Sequence, residues 1–180
     1  MNKYYEEKQI IARVDRKGNI IGPIEKWEAH KKGILHKAFT VALHYKESLI
    51  IQHRKHPAFD GVLDITSSSH QVFKNGRLQD TINAVYETLK REWNLERKDL
   101  LKKPKISSSI YYKEKDSKSE FTEHEICEIV VCQIKKLPVA NLDFAYGFSI
   151  AGKREIENKK GRLYESLAPW VKKAIEKKLL

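Results

Sequence analysis

The stretch FTEHEICEIV, residues 121–130, has the alternation of a half-buried strand, yet it sets Glu123 and Glu125 on the side that the alternation would bury. Side chains at i and i+2 leave a strand on one face, so Glu123, Glu125, Cys127, Ile129 and Val131 are expected to share a side that is otherwise apolar. Removing one carboxylate from water costs roughly several kcal/mol, and a second like charge beside it adds to that cost. A strand written this way implies a cation or a shared proton between the two groups.

Outward from this strand, EHEICEIVVCQI (123–134) is preceded by a second strand, SSSIYYKE (107–114), across the polar turn KDSKS. Upstream, IIARVDRKGNIIGPIEK (10–26) reads as a hairpin whose turn runs from Asp15 to Asn19 around Gly18. AFTVALHY (38–45) and SLIIQHR (48–54) read as two more strands joined by Lys46 and Glu47, and HPAFDGVLDITSSSHQ (56–71) as loop with a short strand. Between Asp80 and Trp93, apolar residues fall at Ile82, Val85, Leu89 and Trp93, the spacing of a helix face, with Asp80 as N-cap and Asn94 as stop. A last helix is expected from about Ala168 to Leu179, with Pro169 tolerated in its first turn. The order strands, helix, strands, helix predicts an α+β fold, an α/β/α sandwich with a mixed β-sheet between helices. No internal repeat or linker interrupts it, so residues 1–180 are read as one domain.

A chain of 180 residues that is 41% hydrophobic can build a sizeable core, and it holds no apolar run long enough to span a membrane. MNKYYEEKQI at the N-terminus lacks an apolar h-region, so the expectation is a cytoplasmic protein with no membrane partner. Cys127 and Cys132 lie five apart on one strand and face opposite sides, which suits neither a disulfide nor a zinc knuckle; they are read as buried free thiols. A net charge of +11 raises nucleic acid, phosphate-bearing ligands or acidic surfaces as partners. The lysines are scattered in short clusters rather than forming a stripe with interleaved aromatics, so nucleic acid is not the expected partner.

Seven histidines accompany the two carboxylates. His30 and His36 flank KKGIL, His70 ends TSSSH, and His44, His53, His56 and His124 lie in or beside strands. Residues six apart do not share a helical face, so spacing alone does not bring His30 and His36 together. Three imidazoles with two carboxylates would form a five-ligand N/O set that suits manganese, magnesium or zinc with one position open.

KGILHKAFTV (32–41), the SLIIQHR strand, DGVLDITSSSH (60–70), IYYK (110–113), TEHEI (122–126) and APW (168–170) occur in a recognisable order and spacing. Over roughly residues 11–172 the chain resembles type I isopentenyl-diphosphate isomerase, a member of the Nudix fold superfamily. The Glu-His-Glu-Ile and Lys-Gly-Ile-Leu-His-Lys-Ala-Phe blocks are its more specific parts. The resemblance implies a Nudix fold and one divalent metal, Mg2+ or Mn2+ with Zn2+ as a further candidate, held by His30, His36, His70, Glu123 and Glu125. It also implies Lys26 and Arg54 as contacts to a small diphosphate substrate, a task for which a point charge and a planar fork are both suited. Tyr112 matches an active-site tyrosine, and Trp170 a tryptophan whose ring faces a cationic intermediate, as an indole face can.

The family interconverts isopentenyl and dimethylallyl diphosphate, a step in isoprenoid biosynthesis that protonates one end of a double bond and deprotonates the other side, so it uses an acid and a base on opposite faces. Glu125 matches one of these, and the position of the other, a family cysteine, is Ser68. An unperturbed serine hydroxyl exchanges protons near neutral pH far less readily than a thiol of pKa about 8.5. The Nudix hydrolase box, Arg-Glu-x-x-Glu-Glu-x-Gly, aligns with Glu87-Thr88-Leu89-Lys90-Arg91-Glu92-Trp93-Asn94 and keeps only Glu92, which in the isomerases assists a second, substrate-bound magnesium. An arginine that the family places near Thr88 is absent. Three readings follow: an isomerase-type enzyme, a Nudix-type diphosphohydrolase with an unusual base, or a catalytically silent Nudix-fold binding module.

Overall fold

A computed structural model describes residues 3–180; Met1 and Asn2, part of the N-terminal stretch read above for a leader, lie outside the described residues. The elements run α1 (Lys3–Glu6), β1 (Ile10–Val14), β2 (Ile20–Glu25), α2 (Lys26–Lys32), β3 (His36–Tyr45), β4 (Ser48–Arg54), β5 (Leu63–Asp64), β6 (Ser67–Ser69), β7 (Phe73–Lys74) and β8 (Arg77–Leu78). They continue with α3 (Thr81–Trp93), β9 (Lys105–Lys115), β10 (Thr122–Ile134), β11 (Ala145–Gly152), α4 (Lys153–Ile156), α5 (Arg162–Ser166) and α6 (Pro169–Glu176). The middle layer is a mixed sheet around β3, which pairs in parallel with β10 along its whole length, from Glu125 opposite His36 to Ile134 opposite Tyr45. The other edge of β3 is shared in turn by β1, β6 and β4. This is the expected α+β sandwich.

The two faces of the sheet bury different clusters. Cys127 and Ile129 of β10 pack with Trp170, Val171 and Ala174 of α6, while Val130, Cys132 and Ile134 pack with Val85, Leu89 and Trp93 of α3. Alternation thus carries Glu123, Glu125, Cys127 and Ile129 to one face; Val131 is only half-buried, just past a register shift against β9. Cys127 and Cys132 are buried free thiols in opposite clusters, as their spacing requires.

Helix α3 begins where Asp80 accepts hydrogen bonds from the Ile82 and Asn83 amides and ends at Asn94 in the left-handed region, the residue types that open and close helices. Pro169 stands in the first turn of α6, which stops at Glu176, short of the expected Leu179, because Lys178 takes a positive φ. Helices α1, α4 and α5 span four or five residues, too few for a periodic signal. Strand β11 pairs only with β4 and leaves Tyr146 and Ile150 exposed, so it lacks the apolar alternation by which a strand is recognised. Among the described residues, no helix is long and apolar enough to cross a membrane.

Candidate metal and diphosphate site

Three neighbouring segments bring the histidines together. In α2, the Glu25 carboxylate accepts from the Glu28 amide at 2.8 Å and opens the helix. Gly33 closes it with φ 59°, a conformation that costs a residue with a Cβ about 1–2 kcal/mol, and its amide and that of Ile34 return to His30 O and Ala29 O. This abrupt end turns the chain from His30 on a helix into His36 on β3. Register does the rest. Glu125 lies opposite His36 on the neighbouring strand, Glu123 is two residues away on the same face, and His70 follows β6 on the other edge of β3.

The three imidazole centroids are 4.7 to 5.2 Å apart. One ligand atom from each of His30, His36, His70, Glu123 and Glu125 can be chosen so that all lie within 4.8 Å of one another. Ligands trans across a metal at 2.0–2.2 Å are separated by about 4.0–4.4 Å, so the cluster has the right dimensions. The tautomers point the same way. His30 Nδ1 is 2.6 Å from Lys26 O and His36 Nδ1 is 2.7 Å from Ile34 O, and since a carbonyl can only accept, both Nδ1 atoms donate. A neutral ring then shows a bare Nε2 lone pair to the cluster. His30 Nε2 stands 3.2 Å from Glu123 Oε2 and His36 Nε2 3.3 Å from Glu125 Oε1, while His30 Nε2, His36 Nε2 and Glu123 Oε2 have no hydrogen-bond partner among the described residues. Facing acceptors in a dry interior call for a cation or a shared proton between them; burial lowers the His36 pKa, but Glu125 beside it outweighs that and raises it. The residues fit a divalent metal.

Burial pushes the Glu125 carboxyl up, but the His36 ring against it outweighs that and holds it at about 2. Glu123 is likewise lowered: desolvation opposes ionisation, and the His30 ring against it outweighs that. His70 is pushed well below the usual imidazole range, chiefly by burial, which keeps it neutral and available as a ligand.

Around this cluster the structure gathers the other expected residues. Tyr112, opposite Glu125 on β9, donates its hydroxyl proton to Glu125 Oε2, and its ring stacks on Trp170 at 5.8 Å. Lys26 is 3% exposed, with Nζ 4.4 Å from the Trp27 ring, and burial lowers its pKa to about 8. Arg54 is 4% exposed and donates to Ala58 O at 3.2 Å and Asp64 Oδ2 at 3.3 Å. Ser68 lies in the same cavity wall, 2.8 Å from Asp64 Oδ2 and 2.9 Å from Thr40 Oγ1. The Glu92 carboxylate also reaches the cavity, but Ser67 and Arg91 already bind its two oxygens at 2.9 and 2.8 Å. His124 points to the opposite side, onto Gly33 O and Tyr111.

Sequence reasoning missed Asp64, Arg91 and the aromatic wall made by Tyr4, Tyr5 and Phe144. Asp64 is fully buried and accepts from four groups, yet in the sequence it is one acid in a loop. Arg91 donates to Thr88 Oγ1 and to Glu92, so a guanidinium stands beside Thr88 although the aligned position lacks one.

No family model matches the sequence, and no curated protein sequence matches it. Solved structures similar in fold include the three that follow. DR0079 from Deinococcus radiodurans has 14% identity over 95% of this chain and 98% of that one, with a TM-score of 0.66. A bifunctional NMN adenylyltransferase/ADP ribose pyrophosphatase from Francisella tularensis has 15% identity over 77% of this chain and 40% of that one, with a TM-score of 0.53. RenU, a Nudix hydrolase from M. smegmatis, has 10% identity over 93% and 90%, with a TM-score of 0.50. At such identities the likeness is one of fold, and the chain has the Nudix fold.

Proposed function

We propose that the chain is a metal-dependent diphosphohydrolase acting on a small diphosphate ester. The observation that carries this reading is the convergence of bare acceptors, His30 Nε2, His36 Nε2 and Glu123 Oε2, beside a cavity whose wall holds Glu123, Lys26 and Arg54. The names of the Francisella and M. smegmatis proteins, a pyrophosphatase and a Nudix hydrolase, support it by analogy of fold. A divalent cation held by the five ligands would withdraw electron density from a phosphoryl oxygen and acidify nearby water. Lys26 and Arg54 bind the non-reacting phosphate oxygens and orient the ester. Glu123 and Glu125 are ligands in this arrangement, and Tyr112 donates to Glu125 and keeps it turned toward the histidines. The cavity, about 20 Å³, holds about one water.

A second reading, isomerisation of an alkenyl diphosphate, is favoured by the stack of Trp170 on Tyr112 beside Glu125. Its weakness lies in Ser68. An ionised carboxylate only accepts, so the single hydroxyl proton of Ser68 goes to Asp64 and is not offered to an alkene. Incubation with isopentenyl diphosphate and with nucleoside diphosphate derivatives, in the presence of manganese or magnesium, separates the readings. Phosphate or monophosphate release that disappears in Glu123→Gln supports hydrolysis. An allylic product without phosphate release would replace it by isomerisation, and bound metal with neither product would leave a silent binding module.

A further inference from the structure

Asp64 sits below the cavity wall, on the last residue of β5, fully buried. Its Oδ1 accepts from the Ile65 amide and from Trp170 Nε1, both at 2.8 Å, and its Oδ2 accepts from Ser68 Oγ at 2.8 Å and Arg54 Nη1 at 3.3 Å. One carboxylate therefore ties together the aromatic wall, the serine at the family's cysteine position and the diphosphate-binding arm. Two further contacts make the array tight. The Arg54 guanidinium lies 5.3 Å over the Trp170 ring, and Thr66, two residues on, is held at φ 70° with its hydroxyl on Ile50 O. A β-branched residue in that region costs about 1–3 kcal/mol, so the turn that brings Ser68 back over Asp64 is kept against strain.

We propose that Asp64 is a positioning residue that sets the anion affinity of Arg54 and couples it to the Trp170 wall. The inference rests on the reading that a diphosphate binds at Arg54. The guanidinium offers five N–H donors, of which Ala58 O takes the one on Nε and Asp64 one on Nη1. Asp64 holds the group from the Nη1 side and aims the remaining donors, and at the same time its negative charge offsets much of the attraction that an isolated, buried Arg54 would exert on an anion. A diphosphate is thus gripped in a fixed orientation and released readily. The three neutral donors on Asp64 share in this balance: each disperses carboxylate charge that would otherwise lean on Arg54.

The test is calorimetric binding of inorganic pyrophosphate in the presence of manganese, with turnover of the hydrolysed ester measured alongside. Asp64→Asn keeps the shape and the acceptor for Trp170 but removes the charge. It is expected to bind pyrophosphate at least fivefold more tightly while turning over at least tenfold more slowly, a split that a merely structural residue would not produce, since loss of structure weakens both. Arg54→Gln is expected to lose pyrophosphate binding. If the parent binds, Arg54→Gln does not, and folded Asp64→Asn binds no better than the parent, the role of Asp64 is overturned and the arm stands. If the parent fails to bind, or Arg54→Gln binds equally well, the reading of the arm fails and the inference with it. Should Asp64→Asn not fold, Ser68→Ala decides. Loss of one neutral donor shifts Asp64 onto Arg54 and weakens pyrophosphate at least twofold; unchanged affinity overturns the proposal.

Discussion

Glu123→Gln separates the metal site from the fold that carries it. Without metal, the substitution removes the attraction of Glu123 for His30 but also its repulsion of Glu125, both buried, so the two effects oppose each other. Removing one partner of a buried pair costs about 3–5 kcal/mol, and relief of the repulsion on Glu125 offsets part of that, so metal-free stability is expected to fall by less than this amount. With metal the balance changes. A ligand present at a thousand times its dissociation constant stabilises by about 4 kcal/mol, and a hundredfold weaker site at the same concentration retains only about 1.4 kcal/mol. The difference of about 2.7 kcal/mol corresponds to roughly 5–11 °C in melting temperature for a chain of this size. The assay is a thermal melt with and without manganese, read by circular dichroism. A parent that does not shift, or a variant that shifts as far as the parent, would refute the assignment of the bare Glu123 oxygen to a cation.

Four further expectations are independent of the metal melt. Burial lowers the Lys26 pKa to about 8, so its ammonium discharges as pH rises through that value; pyrophosphate affinity should fall there in the parent and not in Lys26→Arg, which stays charged. The same lowering means that between about pH 8 and 10.4 the unfolded chain binds more protons at this site, so its contribution to stability rises with pH, the full cost of the buried charge being present below about 8. A urea midpoint that falls over this interval in the parent relative to Lys26→Met would contradict the sign. Tyr112→Phe keeps the stack on Trp170 but removes the donor to Glu125, and should cost about 1.5–3 kcal/mol in urea denaturation. Gly33→Ala should cost about 1–2 kcal/mol and loosen metal affinity together with stability, because the left-handed residue at the end of α2 aims both His30 and His36; an unchanged affinity by calorimetry would separate the two.

Much of the fold was legible because it is written in local patterns. Asp80, four apolar residues at helical spacing and Asn94 carry their own start, face and stop, and they form α3 as expected. The two-residue period from Glu123 to Ile129 held because one face of β10 meets a packed core. Strand β11 escaped notice because an edge strand with exposed Tyr146 and Ile150 has no such constraint.

The site divides along the same line. Residue types and order alone singled out Glu123 and Glu125 as carboxylates facing an apolar side, and the resemblance carried by the flanking motifs named His30, His36 and His70 as their company. What the linear order does not contain is distance. His30 and Glu123 meet because a parallel pairing of β3 with β10 brings together segments about ninety residues apart, and the direction of each ring is decided by carbonyl groups of Lys26 and Ile34 that no side-chain pattern records. Asp64 belongs wholly to that second category. A loop acid becomes a shared anchor for Arg54, Ser68 and Trp170 only when burial removes water and leaves those three side chains, with the Ile65 amide, as its donors.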